Sequence, residues 1–257
     1  MHSHVETGQT APDGTYFVDA SPGAGTGSID RPTVVLLHGV GLDLDMWDAQ
    51  AEALTQSHRV LRYDMLGHGR TPPLERRSTL RDYCDQLGRL LKFRDVSRAI
   101  LVGFSMGGVI TQRFAADRPE VLAGVVMMST VYRRTEDELR GVRERLRVTE
   151  EDGPGGIVEL AVERWLPSQF QSANPDAVEW LKHKLGANHR HGYTDAYRVF
   201  VEADAEVGDA LRQVRCPSMV ITGGADVGST PAIAQRMADD LGGAPLVVLE
   251  GCATWSP

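Results

Sequence analysis

The pentapeptide Gly103-Phe104-Ser105-Met106-Gly107 indicates the fold of this 257-residue chain more clearly than any other stretch. It follows the apolar run 99–102 and precedes a helical pattern that begins at Met106. A Gly-x-Ser-x-Gly sequence between a strand and a helix is typical of a nucleophile elbow, a sharp turn that lifts a serine hydroxyl above a sheet. The helix N-terminus supplies amides and a dipole that favour a developing negative charge. The alternative is a glycine-rich connection with an idle serine.

The composition is that of an ordinary globular protein, with 42% hydrophobic and 24% charged residues. A formal net charge of −8 argues against nucleic acid or an anionic membrane as the main partner. Cys84, Cys216 and Cys252 are odd in number and far apart, which favours a reducing compartment over a disulfide framework. Residues 1–7 lack a signal-peptide pattern, and no apolar run approaches the roughly 20 residues of a membrane span. We therefore expect a cytoplasmic protein, monomeric or homodimeric.

Apolar runs alternate with amphipathic helical patterns in the first half of the chain. The run 33–38 is too apolar for a strand with one wet face, so it belongs in the middle of a parallel sheet. The alternation implies right-handed crossovers and a sheet with helices on both faces, an α/β fold. The predicted strands of this half cover residues 15–18, 33–38, 59–64, 99–102 and 121–129.

The alternation stops between residues 131 and 207, where the sequence shows only helical patterns and many of the bulky aromatic residues. Such an insertion after a sheet strand predicts a lid over the carboxyl ends of the strands, where open α/β sheets bind ligands. A helical subdomain without a ligand role is the alternative. Strands resume at 217–222 and 246–249, so we predict a core of residues 1–130 and 208–257 and a lid of residues 131–207.

Three motifs follow predicted strands in order: His38-Gly39, Asp-Met-Leu-Gly-His-Gly at 64–69, and the elbow at 103–107. In their order and spacing, the chain resembles the α/β-hydrolase superfamily over essentially its whole length after residue 14. Residues 43–48 and 62–64 look like the 3-oxoadipate enol-lactone hydrolases and related small-ester hydrolases. The resemblance implies an α/β-hydrolase fold with a mostly parallel sheet and a helical lid inserted after the sixth strand.

The resemblance also assigns catalytic roles. Ser105 would be the nucleophile, and the amides of Val40 and Met106 would form the oxyanion hole. Removing one oxyanion donor typically raises the barrier by roughly 3 kcal/mol. Asp226, in a glycine-rich loop after a strand, would be the triad acid, with a helix-capping role as the alternative.

Other side chains are expected around the substrate. Phe104 and Gly39 lie beside the catalytic motifs, and Trp165 is the preferred aromatic residue of the lid. Arg133, where the lid leaves the sheet, is a candidate for clamping a substrate carboxylate in bidentate fashion.

The catalytic histidine is where the chain departs from the superfamily, which places a small residue and then histidine after the last strand. Here that pair is Ala253-Thr254, and no histidine follows His191 in the lid. A threonine hydroxyl is not a base near neutral pH, and losing the histidine of a serine protease costs about 10⁶-fold in turnover. The chain ends at Pro257, short of the final helix of the superfamily.

Three explanations stay open for Thr254: a replaced histidine, an altered or shortened C-terminus, or a protein that uses the fold without the triad. His183, His189 and His191 could in principle swing down from the lid as substitutes, whereas His38 and His68 are expected to order their own loops.

The predicted function is a serine hydrolase of small carboxylic esters or lactones, acting through an acyl-enzyme on Ser105 and impaired by the missing histidine. A carbon–carbon bond hydrolase or a cofactor-free perhydrolase would use the same parts. A non-catalytic small-molecule binding protein is the alternative from another class. We expect no cofactor and no metal, since the elbow lacks the lysine of a phosphate-binding loop and no metal-ligand cluster is evident.

Overall fold

The computed structural model describes residues 8–22 and 31–254, so the predicted early end of the chain at Pro257 lies outside the described residues. One eight-stranded sheet organises these residues. Its strands are β1 (Gln9–Thr10), β2 (Tyr16–Ala20), β3 (Thr33–Leu37), β4 (Val60–Tyr63), β5 (Ala99–Phe104), β6 (Leu122–Met128), β7 (Ser218–Gly223) and β8 (Leu246–Leu249).

The strand order is β1-β2-β4-β3-β5-β6-β7-β8. The β1–β2 and β2–β4 pairs are antiparallel, and the remaining neighbours, from β4 across to β8, pair in parallel. Every residue of β3 is buried, as its sequence of Thr33 followed by four apolar residues predicts for a central strand. The predicted mostly parallel sheet is confirmed.

Helices connect the strands and cover both faces of the sheet. Residues of α2, α3 and α9 pack with one face of the central strands, while Trp47 and Ala51, at and after the start of α1, pack with the other. The helices of the described residues are α1 (Asp48–Leu54), α2 (Leu80–Phe93), α3 (Met106–Asp117), α4 (Glu136–Asp152), α5 (Val158–Trp165), α6 (Ser168–Ala173), α7 (Pro175–Gly186), α8 (Arg190–Val207) and α9 (Pro231–Asp240).

Local sequence signals explain where the longer helices begin. Thr79 and Asp82 form a reciprocal capping box at the start of α2, and Thr135 and Glu138 form another at the start of α4. The stripe predicted for α2 is buried against the sheet: Leu80, Tyr83, Leu87, Leu90 and Leu91.

The region predicted as a lid contains α4 to α8, between β6 and β7. The helical insertion after the sixth strand is therefore confirmed, whereas the domain boundaries at 130/131 and 207/208 stay predictions. No helix of the described residues is both long and apolar enough to cross a bilayer. Among those residues no helix follows β8, and Val247, Val248 and Leu249 on this edge strand are 38–44% exposed.

Candidate active site

Ser105 stands between β5 and α3 with φ 51° and ψ −112°, a backbone conformation that costs free energy for any residue other than glycine. Hydrogen bonds hold it there. Its amide donates to the carbonyl oxygen of Met128 (2.9 Å), and its own carbonyl accepts from Oγ1 of Thr130 (2.6 Å). The local sequence therefore forms the strained elbow that the motif predicts.

The two glycines of the motif are required by close approaches of the backbone. A Cβ on Gly103 would lie 2.3 Å from the carbonyl oxygen of Gly107, and one on Gly107 would lie 2.3 Å from that of Leu37. Gly39, predicted near the substrate, lies against the elbow: its Cβ would be 3.2 Å from that of Ser105. A side chain at Gly103 would press on the first turns of α3, and one at Gly107 would push the elbow away from the end of β3.

His38 orders the loop that follows β3. Its buried ring accepts from the amide of Met65 at Nε2 (2.9 Å), so the proton sits on Nδ1 and is donated to the carbonyl oxygen of Gly39 (2.7 Å). Burial lowers the pKa of His38 to about 4, which keeps the ring neutral near pH 7. This geometry agrees with a structural role for His38.

Two amides beside Ser105 are available for an oxyanion. The amide of Gly107 is used by the carbonyl oxygen of His38 (3.1 Å), but those of Val40 and Met106 make no hydrogen bond to any of the described residues. Val40 lines the same cavity as Ser105, and Met106 is the first residue of α3. These two amides therefore stay the candidate oxyanion donors, and Met106 adds the positive end of a helix dipole.

Asp226 lies in the loop after β7 and is 3% exposed. Its Oδ1 accepts hydrogen bonds from the amides of Gly228 and Ser229 (both 2.8 Å) and from Oγ1 of Thr254 (2.9 Å). Its Oδ2 is buried without a partner in the described part of the chain. The cap of α9 is Thr230, whose side chain accepts from the amide of Ile233, so Asp226 does not cap that helix.

The structure thus brings together the two residues that the sequence assigned to the acid and histidine positions. None of the histidines in residues 8–22 and 31–254 lines the cavity that contains Ser105. His183 and His189 line a separate groove beside Gly41, and His191 is 47% exposed near Asp195. The lid histidines therefore do not stand in for a base at Ser105.

The cavity that Ser105 lines has a volume of about 270 Å³ and lies between the carboxyl ends of the strands and the lid. Trp165 lines it, as predicted, together with Tyr193 and Tyr197. Phe104 instead lines a smaller cavity of about 70 Å³, which shares Ser129 and Thr254 with the larger one.

Arg133 does not reach the cavity. Its side chain is 46% exposed and its Nη1 lies 3.0 Å from Oδ2 of Asp240, on the outside of the molecule. The arginines that line the cavity are Arg134, Arg145 and Arg164. A carboxylate clamp in this protein would have to come from these three.

Ser129 and Arg145 are cavity residues that sequence reasoning missed. Ser129 is 7% exposed, has φ 42° and directly follows β6, so its position at a strand end was an available signal. Arg145 gives no comparable signal, because α4 carries arginines on several faces. Clusters of three or more His, Cys, Asp or Glu side chains suited to a metal ion do not occur within the described residues.

Comparison with known proteins agrees with this geometry. A sequence profile of the alpha/beta hydrolase family matches residues 34–255. The 3-oxoadipate enol-lactonase 2 of Acinetobacter baylyi is 30% identical over 230 residues, which cover 87% of this chain and 82% of that protein. The (E)-2-((N-methylformamido)methylene)succinate hydrolase of the same species is 29% identical over 220 residues, covering 84% of this chain and 81% of that protein.

A solved structure shows the same architecture. A thermophilic esterase from Thermogutta terrifontis, with malate bound, matches with a TM-score of 0.82 at 25% identity. The match covers 93% of this chain and 86% of that chain. The superfamily resemblance drawn from the motifs is confirmed. The chain belongs to the alpha/beta hydrolase family and is a hydrolase.

Proposed function

We propose that this hydrolase cleaves small carboxylic esters or lactones through an acyl-enzyme on Ser105. The observation that carries the proposal is the strained elbow: Ser105 lines a cavity together with Val40, and the amides of Val40 and Met106 make no hydrogen bond to the described residues. The Ser105 oxygen would add to the substrate carbonyl carbon while the carbonyl oxygen takes up the negative charge. The bond to the leaving alkoxide then breaks, and the alkoxide takes up the proton that the serine hydroxyl lost. Water next hydrolyses the acyl-serine ester, which releases the acid and regenerates the serine.

Proton transfer is the weak step in this chain. The hydroxyl proton of Ser105 needs an acceptor that can return it to the leaving alkoxide, a task that triad enzymes give to an imidazole. At the position where the imidazole would stand, this chain has Thr254, whose hydroxyl donates a hydrogen bond to Asp226. We therefore expect slow turnover by the chain as it stands and a large gain from a histidine at position 254.

The charges in the cavity favour a substrate that carries a carboxylate. Arg134 is neutralised by Asp204, with 2.6 Å between Nε and Oδ2. Arg145 donates only to the hydroxyl of Tyr197 (3.0 Å), and Arg164 forms no ion pair within the described residues. Burial and the nearby Arg145 lower the pKa of Arg164, while the charge of Asp226 acts in the opposite direction without forming an ion pair with it.

These cations stand out in a chain with a formal net charge of −8. The Arg164 guanidinium lies against the loop of Asp226, since a Cβ on Gly228 would be 2.8 Å from its Nη2. A substrate carboxylate would give Arg164 the direct charge-assisted hydrogen bonds that Asp226 does not make with it. The names of the relatives contain succinate and 3-oxoadipate, and malate is bound in the esterase, which supports an acidic substrate here as well.

The test compares three proteins: the chain itself, Thr254→His, and Thr254→His with Ser105→Ala. The substrates are p-nitrophenyl acetate, the mono-p-nitrophenyl esters of succinate and adipate, and a panel of small lactones. We expect the histidine variant to hydrolyse them at least about 10³-fold faster than the chain itself and the serine-free variant to lose this gain. A histidine variant that stays inert on the whole panel, yet binds the acids reversibly, would support the non-catalytic binding alternative.

A further inference from the structure

We propose that Lys184 and Asn188 of the lid are positioning residues for the oxyanion loop, defined here as residues 38–45. The inference rests on the proposed function, because it assigns these two side chains to the placement of the Val40 amide. Neither side chain needs to touch the substrate to act in this way.

The core holds the oxyanion loop at its first residues and again at Leu44. His38 binds the carbonyl oxygen of Gly39, as described above, and the buried carboxylate of Asp64 accepts from the amide of Leu44 (2.9 Å). Between these points the chain makes a turn closed by the amide of Leu42 and the carbonyl oxygen of Gly39 (3.3 Å). The side chains of Val40 and Leu42 are buried, but no core side chain among the described residues donates a hydrogen bond to the backbone of residues 40–43.

The lid supplies such a hydrogen bond from the end of α7. Nδ2 of Asn188 donates to the carbonyl oxygen of Gly41 (2.8 Å), one residue beyond Val40. Nζ of Lys184 lies 2.6 Å from Oδ2 of Asp43 and 2.7 Å from Oδ2 of Asp45. One lysine thus bridges two carboxylates of the loop, and the side chains involved are only partly exposed, at 15–33%.

Two glycines allow the core loops to approach the lid closely at the corner where Lys184 and Asn188 bind. Gly41 has φ +80°, and a Cβ there would lie 2.7 Å from side-chain atoms of both Leu185 and Tyr193. Gly67, in the neighbouring core loop, lies equally close to Gly192 of α8, where a Cβ would be 2.6 Å from the Gly192 Cα. This corner of the lid therefore lies directly on the core loops, through two lid side chains at Gly41 and through backbone alone at Gly67.

A fixed loop matters for the proposed chemistry because an oxyanion donor acts only at the correct distance. A displacement of about 1 Å at a catalytic group can cost about 100-fold in rate. Loss of the Asn188 or Lys184 contact leaves the substrate-binding arginines untouched, so it should weaken transition-state stabilisation and spare ground-state binding. The expected signature is a lower kcat with an unchanged KM.

Matched variants can separate this role from general support of the fold. Lys184→Met removes the bridge to the loop. Asn188→Asp keeps the shape while removing the donor to Gly41 and also to the carbonyl oxygens of Lys184 and Leu185 at the end of α7. Lys182→Met is the control, since Lys182 lies two residues away on the same helix and pairs with Glu159 inside the lid (2.8 Å). Each is made in the chain itself and in the Thr254→His variant.

The first readout is backbone hydrogen exchange, which requires no catalytic activity. We expect peptides that cover residues 38–45 to exchange about tenfold faster in Lys184→Met and Asn188→Asp, with α8 unchanged and the Lys182→Met control at the parent rate. In Lys184→Met α7 should also be unchanged, whereas in Asn188→Asp its last turn, which Asn188 caps, is left out of the comparison. The second readout is kinetics in the Thr254→His variant. There we expect kcat to fall about 10- to 100-fold with KM within about twofold, and the control to be unaffected.

The outcomes are distinguishable from failure of the proposed function. Unchanged exchange in the loop, or equal acceleration throughout the lid, would overturn the positioning role whether or not the histidine variant is active. Faster loop exchange with unchanged kcat in an active histidine variant would also overturn it. If the histidine variant is inactive, the proposed function fails, and the exchange measurement alone still decides whether the lid holds the loop.

Discussion

The hydroxyl of Thr254 donates a 2.9 Å hydrogen bond to Oδ1 of Asp226, the carboxylate oxygen that also accepts the amides of Gly228 and Ser229. The second carboxylate oxygen is buried without a partner among the described residues. An imidazole at position 254 would connect such a carboxylate to the nucleophile, but threonine ends the chain of hydrogen bonds at the acid. In the proposed mechanism Asp226 is thus the acid, and the imidazole that would accept a proton beside it is absent from position 254.

The effect of removing the acid should depend on residue 254. In the Thr254→His variant, Asp226→Asn should lower kcat by about 10³- to 10⁴-fold, because the imidazole loses the partner that sets its tautomer. In the chain with Thr254, the same change should cost less than about tenfold, since there is no imidazole to orient. Steady-state hydrolysis of p-nitrophenyl acetate by the four proteins measures this, and equal losses in both backgrounds would show a different role for Asp226.

The cavity arginines should act on acidic substrates selectively. In the Thr254→His variant, Arg164→Met or Arg145→Met should raise KM for the mono-p-nitrophenyl ester of succinate by about 10- to 100-fold, the usual range for a lost charge-assisted hydrogen bond. The KM for p-nitrophenyl acetate should change less than about threefold. Arg133→Met is the matched control, because Arg133 pairs with Asp240 outside the cavity. Equal effects on the acidic and neutral esters would contradict a carboxylate site.

Replacement of two glycines by alanine should change the unfolding free energy in opposite directions. Gly107→Ala places a methyl group 2.3 Å from the carbonyl oxygen of Leu37 in a buried region, so we expect a loss of at least about 2 kcal/mol in unfolding free energy. Gly186→Ala, at the end of α7, meets no atom within 4 Å and should be neutral or stabilising by up to about 1 kcal/mol. Urea unfolding followed by circular dichroism compares them, and a neutral Gly107→Ala would contradict the close packing of the elbow on β3.

Stability should fall as the solution is acidified below pH 6.5. Burial lowers the pKa of His38 to about 4 and that of His68 to about 3. As the pH falls below 6.5, the unfolded chain therefore binds two protons at these histidines that the folded protein does not bind. Their stabilisation is present above pH 6.5 and is lost as the pH falls toward the folded-state pKa values. Burial raises the pKa of Asp64 to about 6, so the folded state gains one proton between about pH 6 and 4, which opposes the trend.

The net difference near pH 5.5 is about one proton, or a slope of about 1.4 kcal/mol per pH unit in unfolding free energy. His68→Asn should make this slope nearly flat, whereas His58→Gln, at a partly exposed surface position, should leave it unchanged. Urea unfolding between pH 6.5 and 4.5 gives the slopes. An unaltered slope in His68→Asn would mean that His68 titrates normally in the folded protein.

Patterns within single segments were enough to predict the sheet and the elbow. The largely apolar β3 and the Gly-x-Ser-x-Gly motif each carry their own structural signal, and both form as predicted. The two-residue β1 was not predicted, because Gln9 and Thr10 have no apolar pattern and are in a strand only through pairing with β2. Tertiary pairing overrides propensity in so short an element.

The side chains around the substrate were harder to predict. Arg133 and Arg134 are neighbours in sequence, yet the left-handed backbone of Arg133 (φ 45°) sends one guanidinium to Asp240 and leaves the other on the cavity with Asp204. Arg145 faces the cavity because of the way α4 packs on α8, where Tyr197 receives its hydrogen bond. Such facts depend on how the lid helices pack together, which no local pattern records.

The most direct test of the account is the mass of the Thr254→His variant quenched during turnover of p-nitrophenyl acetate. An ester with a good leaving group makes release of the acyl group slow enough for the intermediate to accumulate. The account predicts one added acetyl group, located by peptide mapping on Ser105 and absent when Ser105 is alanine. Release of p-nitrophenol with Ser105 unmodified, or continued turnover after Ser105→Ala, would contradict it.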